Sequence, residues 1–524
     1  MTSRDAGSGR GTDGQLAADL AAIVGRTNVE DDVVERAVYS RDVFQWDAPL
    51  VELVVRPQDV AQVAEVLRLA TKRGFAVAPR GGGLSYTQGY VPEKPGTILL
   101  DLAGLNEIDE INEEDLFITV GCAVSWRQIM DALRPRGLRT VMGGPISGAF
   151  SSVGGAASQN VPGSMESILG LEVVLADGRT IHTGSSAISR AHSPFYRHFG
   201  PDLTGLFLGD TGAFGIKTRL TLRIEPIPAG VAFASVAFET LALMAAAMTD
   251  IARTGIAAKS LGMDPLKTQT AAKVGVREGA ATLREVARGR KSVARGLKDA
   301  AGIIAAGRGA YDDIKWSLHL TVEGADQVAA DRAMKIVAAI CEDHGGRQIE
   351  PSIPVAMRAR PYSIRGFLGL QGECWVPVHG VFPLSRARDV VQNVQGFFAE
   401  RAEIMSGNGI SQSFLTAING PFWLLEPMFY WPDEVGEYYA RYLDKAKYSR
   451  FARLEANPSA RAIVARLRDE LRDLFFEMGA VSAQIGKYYD IEGALESETY
   501  AVLTSIKNNL DPGRVLNPGN LGWR

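Results

Sequence analysis

The sequence predicts an α+β protein of more than one domain, and three observations carry that prediction. From Val51 onward, segments with the two-residue period of strands alternate with segments of helical period. The 524 residues exceed the ~250–300 at which a single core stops growing. Two glycine-rich loops, PRGGGLSYTQGY and PISGAFSSVGGAASQNVPGS, follow strand or strand–helix segments in the first half of the chain.

The elements read in order. VELVVRP is a strand, DVAQVAEVLRLATKRG a helix, FAVAPR a strand, and GTILLDL a strand after the first glycine-rich loop. Pro57 and Asp59 punctuate the start of the helix and Gly74 its end. DLFITVGCAV then reads as a strand and SWRQIMDALRPRG as a helix capped by Ser125. A turn-rich run with six glycines spans Gly143 to Ser164. SILGLEVVLADGRTIHTG alternates on both sides of Asp177-Gly178, the signal of a hairpin. LFLGDTGAFGIKTRLTLRIEP is strand-rich up to Pro226, where the pattern changes to longer helix–strand segments.

In the apolar stretch Val231 to Met248, VAFASVAF alternates and ETLALMAAAM repeats like a helix, with Glu239 between them. That is a strand leading into a helix, since a membrane span needs ~20 uncharged apolar residues. Strands recur at IKWSLHLTVEG and GECWVPVHGVFP, and helices at ADRAMKIVAAICEDHG, ARDVVQNVQGFFAERA and RAIVARLRDELRDLFFEMG. Between Lys267 and Lys298 nine basic residues face two acidic ones. This reads as a solvated helical insertion or as a surface for an anionic partner.

Composition excludes several classes. At 46% hydrophobic and 22% charged the chain is globular, and 56 basic against 60 acidic residues leave no field to gather nucleic acid. Cys122, Cys341 and Cys374 lack CxxC spacing, and no histidine–carboxylate cluster appears, so neither a disulfide framework nor a metal site is expected. The polar start MTSRDAGSGRGTDG has no apolar core of a signal peptide, and a cytoplasmic location is expected.

Gly81, Gly82 and Gly83 let backbone N–H groups approach a phosphate, although a plain surface loop uses glycines as readily. The spacing is neither that of a Rossmann fingerprint nor that of a Walker A loop. A second loop in the same domain would let the pair hold a long ligand, pyrophosphate in one and a flat ring system along the other.

PRGGGLSYTQG, GAFSSVGGAA, GLEVVLADGRTIHTG, LFLGDTGAFGIKTRLTLRIEP and LDPGRVLNPGNLG follow one another in an order that resembles the vanillyl-alcohol oxidase / p-cresol methylhydroxylase flavoproteins. The resemblance implies an α+β fold with a PCMH-type FAD-binding domain at residues 46–227, after a lead-in and helix at 1–45. An α+β cap with a sheet over the flavin would occupy 228–460, and 461–524 would return to the first domain. It further implies that Arg80, Gly81, Gly82, Gly83, Leu84 and Ser85 hold the pyrophosphate. Pro145, Ser151, Ser152, Gly154, Gly155 and Ser158 would follow the flavin and ribityl chain, with Ile216 and Asn517 beside the cofactor.

Departures from the family pattern narrow the chemistry. Leu84 stands where tethering members carry histidine, and Ser151-Ser152 where others carry cysteine, so FAD is expected without a covalent bond. Tyr488 matches a tyrosine of the phenol-oxidising members while Tyr489 replaces its arginine partner, for which Lys487 or Arg365 would have to substitute. Ser147 falls where some members place an acid. AQIGK replaces the GEHGIG ending of the 2-hydroxy-acid dehydrogenases.

The expected activity is FAD-dependent oxidation of an alcohol or benzylic carbon, by hydride transfer to flavin N5. Tyr488, Tyr489 and His379 are the catalytic candidates, and His182, His192, His198, His319 and His344 are weaker ones. An aromatic pocket built from Phe422, Trp423, Phe429, Tyr430, Trp431 and Trp375 suits an aromatic or phenolic small molecule. Oxygen or another species would accept the electrons, and a homodimer is compatible with the reading. The alternatives are a 2-hydroxy-acid or sugar/lactone dehydrogenase of the same fold, and a non-catalytic FAD-binding module.

Overall fold

In the computed structural model, residues 14–524 are described except 45–46, 162, 164, 192, 273–310, 312 and 363–367. His192, Arg365 and most of the basic stretch 267–298 therefore lie outside the described residues.

Three sheets organise the described residues. The first has four strands in the order Val29–Glu30, Leu53–Val55, Thr97–Asp101, Ala76–Arg80, the last three parallel. Parallel neighbours need a crossover, which helix Val60–Arg73 provides. Asp59 accepts the Gln62 N–H at 2.8 Å to start that helix, and Gly74 at φ 72° ends it. The strand Ala76–Arg80 thus delivers the chain directly into Gly81 at one edge of this sheet.

The second sheet is antiparallel, with Ile216–Pro226 between Phe117–Gly121 and Ile168–Val174. Thr180–His182 closes the hairpin expected at Asp177-Gly178, where Gly178 takes φ 78°. Within the turn-rich run the chain forms a short helix, Val153–Ser158, capped by Ser152. The C-terminal segment returns to this part: Leu516 bridges Val77, and Val515, Leu516 and Trp523 join the core of the first two sheets.

The third sheet has eight strands and is built from residues after Pro226. Val231 to Met248 divides into strand Gly230–Phe238 and helix Leu241–Thr254. No helix among the described residues is long and apolar enough to cross a membrane. Helices Leu241–Thr254, Ala387–Glu400 and Pro458–Glu477 pack on one face of the sheet, together with Val376, Leu425, Phe429 and Trp431. The opposite face is left to meet the glycine-rich loops.

GECWVPVHGVFP is two short strands, Cys374–Pro377 and Gly380–Pro383, both paired to Phe422–Trp431. The cause is Pro427, which has no N–H to offer where Val378 lies opposite. His379 falls in the gap, and its N–H donates instead to Tyr489 Oη at 2.8 Å.

Candidate active site

Between the loops and the open face of the third sheet lies a cavity of about 360 Å³. Its floor is the first loop, Gly81 to Tyr86, and the second, Pro145 to Ser158, together with Cys122 and Ile216. Its roof is Trp375, His379, Leu415, Leu424, Glu426 and Met428, with Lys267 and Gln484 at the sides.

The two loops contribute different chemistry. Among the described residues nothing accepts from the N–H groups of Gly81, Gly82 or Gly83. The Gly82 and Gly83 carbonyls are occupied: Tyr442 Oη donates to both at 3.0 and 3.2 Å, and Tyr90 and Tyr438 donate to Gly83 O at 2.8 and 2.5 Å. Three free donors with satisfied carbonyls suit an anion. In the second loop the N–H groups are spent on local structure, Ser151 to Ser147 O, Gly154 to Cys122 O and Gly155 to Ser152 Oγ. That loop offers surface and hydroxyls, with Ser147 Oγ and Ser151 Oγ 2.6 Å apart.

The loops touch with no room for side chains. A Cβ on Gly82 would stand 3.0 Å from the Phe150 carbonyl carbon and closer still to its oxygen. A Cβ on Gly154 would stand 2.7 Å from Cys122 Cβ. Burial pushes the Cys122 thiol up to about 12, so it stays protonated.

Gly81, Gly82, Gly83, Leu84, Ser85, Pro145, Ser151, Ser152, Gly154, Gly155, Ser158 and Ile216 all line the cavity. Arg80 and Asn517 are not among the lining residues. Arg80 is buried behind the loop, over the Tyr39 and Tyr90 rings at 4.6 and 5.4 Å, and donates to Tyr442 Oη at 2.8 Å. Asn517 Nδ2 ties the first loop to the turn at Thr211 by donating to Gly89 O at 2.8 Å and Thr211 O at 2.6 Å. Both therefore brace the cradle rather than face it.

On the roof, strand alternation sorts the aromatic run. Trp423, Phe429 and Trp431 point into the core, so they do not form the pocket. The other parity carries Leu424, Glu426 and Met428 to the cavity, with Tyr430 beside Trp375. His379 lies opposite Glu426 in the same register, which explains why its Nε2 is 3.6 Å from Glu426 Oε1. Tyr86 Oη is 3.1 Å from the same nitrogen. Burial first, and the Glu426 carboxylate next, raise the Tyr86 phenol well above its ordinary range, so it remains a hydrogen-bond donor.

Tyr488 and Tyr489 stand outside the lining. Tyr488 Oη donates to Arg468 O at 2.9 Å, and its ring lies 3.7 Å from the Arg468 guanidinium. The buried arginine on helix Pro458–Glu477 draws the tyrosine away from the cavity. Tyr489 acts on the roof from behind, by accepting the His379 N–H. Lys487 is half-buried and its Nζ donates to Val91 O, so it cannot replace the missing arginine. His319 is held within the sheet by Ser235 Oγ at 2.8 Å and Ser317 Oγ at 2.9 Å. His344 pairs with Asp250 and His182 with Glu172, away from the cavity. Among the described residues no group of His, Cys, Asp and Glu could hold a metal ion.

Tyr86, Glu426 and Lys267 escape the sequence reading. Glu426 did carry a signal, as a lone carboxylate in the apolar strand Phe422–Trp431.

Comparison with known proteins agrees with this architecture. Residues 51–184 match the family model described as FAD binding domain, and residues 227–411 that of the FAD linked oxidases, C-terminal domain. The glycolate oxidase subunit GlcD of Bacillus subtilis is 30% identical over 217 residues, 40% of this chain and 44% of that protein. The probable mitochondrial D-lactate dehydrogenase of Danio rerio is 27% identical over 229 residues, 42% and 44% of the two chains. The alignments thus span less than half of these relatives.

The crystal structure of p-cresol methylhydroxylase with substrate bound superposes with a TM-score of 0.72, over 99% of this chain and 98% of that one at 18% identity, a likeness of fold. The chain is an α+β, PCMH-type fold of the broad FAD-linked oxidase family, and FAD is its cofactor. The likeness to the vanillyl-alcohol oxidase group is confined to fold, since the sequence matches run to glycolate and D-lactate enzymes. The cradle fits FAD on its own chemistry: three N–H donors without an acceptor among the described residues for a diphosphate, and a floor rich in glycine and small side chains for a flat ring.

Proposed function

We propose that the protein is an FAD-dependent oxidoreductase that oxidises the hydroxyl-bearing carbon of a hydroxy acid. The observation that carries the reading is His379, set on the roof opposite the cofactor cradle, with Tyr86 and Glu426 both at its Nε2. The activities of the relatives, glycolate oxidase and D-lactate dehydrogenase, support a hydroxy acid over a phenol. The displacement of Tyr488 onto Arg468 O removes the main argument for phenolate binding.

Bound FAD supplies a hydride acceptor, held by Gly81 to Ser85 and the second loop. Oxidation of a carbinol removes a hydride from carbon and a proton from oxygen. His379 Nε2 is the base for that proton. Glu426, 3.6 Å away, stabilises the imidazolium that results. Tyr86 Oη, 3.1 Å from the same nitrogen, holds the ring in place until the carbinol hydroxyl displaces it from the Nε2 lone pair, and the Tyr489 hydroxyl fixes the His379 backbone. Leu415, Leu424 and Met428 exclude water above the reacting carbon.

The test is anaerobic bleaching of the flavin by a panel of hydroxy acids and aromatic alcohols. His379→Gln should slow bleaching by about 10²- to 10⁴-fold while FAD content stays normal. Bleaching by phenolic alcohols alone, or an unchanged rate in His379→Gln, would overturn the assignment.

A further inference from the structure

We propose that Lys267 anchors an anionic group of the substrate at a distance from the carbon oxidised at His379, so that the enzyme takes elongated hydroxy acids whose carboxylate and hydroxyl lie apart. The proposal rests on the oxidoreductase reading above and names its substrate class.

Lys267 lies in the first turn of helix Pro265–Ala272 and lines the cavity. Its Nζ donates to Tyr430 Oη at 2.8 Å and stands 5.8 Å from the Trp375 ring centroid. The wall then continues ring by ring. Trp375 and Tyr86 have centroids 5.6 Å apart, and Tyr86 Oη reaches His379 Nε2 at 3.1 Å. Two aromatic side chains thus separate the ammonium from the base.

The two ends make opposite electrostatic demands. Beside His379, the Glu426 carboxylate would repel a second anion placed next to the reacting carbon. Beside Lys267, no carboxylate among the described residues forms an ion pair with the ammonium. Asp264, three residues earlier, spends its Oδ1 on Ser413 Oγ at 2.8 Å and the Lys267 backbone N–H at 2.9 Å. Trp375 Nε1 is buried with no acceptor among the described residues, a second donor on the same stretch of wall. An ammonium and an unpaired indole N–H form an anion site, and the apolar span of Met428 and Leu415 joins it to the base. A carboxylate immediately adjacent to the carbinol would reach Lys267 only with the carbinol held away from His379.

The experiment titrates the FAD-loaded protein with 3-phenylpropionate, 3-phenylpropionamide and acetate, none of which has a hydroxyl to oxidise. Binding is read from the flavin difference spectrum and from tryptophan fluorescence. Phenylpropionate should bind and acetate should not. Lys267→Gln should weaken phenylpropionate by about 10- to 100-fold and leave the amide unchanged, and Lys267→Arg should restore most of the binding. Failure of phenylpropionate to bind the unmodified protein, equal binding of acetate, or no effect of Lys267→Gln each overturns the proposal. Failure of the oxidoreductase reading is distinguishable, because flavin that no hydroxy acid bleaches would leave this Lys267-dependent binding intact.

Discussion

Replacing Gly82 by alanine tests the cradle at its narrowest point. The new Cβ would lie 3.2 Å from Ser151 Cα, 3.0 Å from the Phe150 carbonyl carbon, and nearer still to the carbonyl oxygen. All three atoms are backbone, so no side chain can swing aside, and the two loops must part by on the order of 1 Å. Overpacking of this kind costs about 1–3 kcal/mol. If the loops close on FAD as one cradle, that cost appears in the binding constant, at about tenfold per 1.4 kcal/mol. FAD affinity should therefore fall roughly 5- to 150-fold. Gly143→Ala is the control, since a Cβ there meets nothing within 4 Å. The assay is reconstitution of the apoprotein with FAD, followed by fluorescence quenching, beside a thermal melt. Unchanged affinity in a folded Gly82→Ala protein, or the same loss in Gly143→Ala, would remove this loop contact from cofactor binding.

Acid precipitation should release all the FAD, because Leu84 and Ser151 occupy the tether positions and Tyr86 engages His379 Nε2; a yellow pellet would refute this. Tyr488→Phe should leave the rate of flavin reduction within about twofold and lower stability by about 1 kcal/mol, since its hydroxyl serves Arg468 O. A large loss of reduction rate at full stability would return Tyr488 to the active site. Burial lowers the His319 pKa from 6.5 to about 3. The unfolded chain therefore takes up this proton below pH 6.5 while the folded one refuses it until about pH 3, and stability must fall as pH falls through that window. The slope owed to this group approaches about 1.4 kcal/mol per pH unit. Denaturant titrations of His319→Gln between pH 7 and 5 should show a shallower dependence, and an identical slope would refute the assignment.

Much of the fold was legible because burial leaves a period in the sequence. Gly230–Phe238 and Leu241–Thr254 were separable in one apolar stretch because the repeat changes from two to 3.6 residues at Glu239. Asp177-Gly178 marked its hairpin because the turn needs a residue at positive φ, which Gly178 supplies at 78°. The break at His379 was hidden, since its cause is in another strand. Pro427 accepts the Val378 N–H at 2.9 Å but has none to return, so the ladder keeps one bond there, and only the register shows that the two residues meet.

The site divides along the same line. The floor was readable because backbone approach requires glycine whatever else surrounds it, and Gly81 to Gly83 and Gly154 to Gly155 stand in the sequence as glycines. The roof was not, because its chemistry depends on which parity of a strand faces inward. In Phe422–Trp431 either parity carries large apolar groups, so composition alone favoured Trp423, Phe429 and Trp431 over Leu424, Glu426 and Met428. Glu426 was the informative residue. A carboxylate cannot be buried in the helix-packed core without a partner, so its parity had to face the cavity, and with it His379 across the ladder. Tyr488 falls outside the cavity lining for the converse reason. Its place in a motif said nothing of Arg468, twenty residues earlier on a helix, whose carbonyl accepts the tyrosine hydroxyl and whose guanidinium covers the ring. A lone charge in an apolar strand therefore reports the orientation of its neighbours more dependably than an aromatic run reports a pocket.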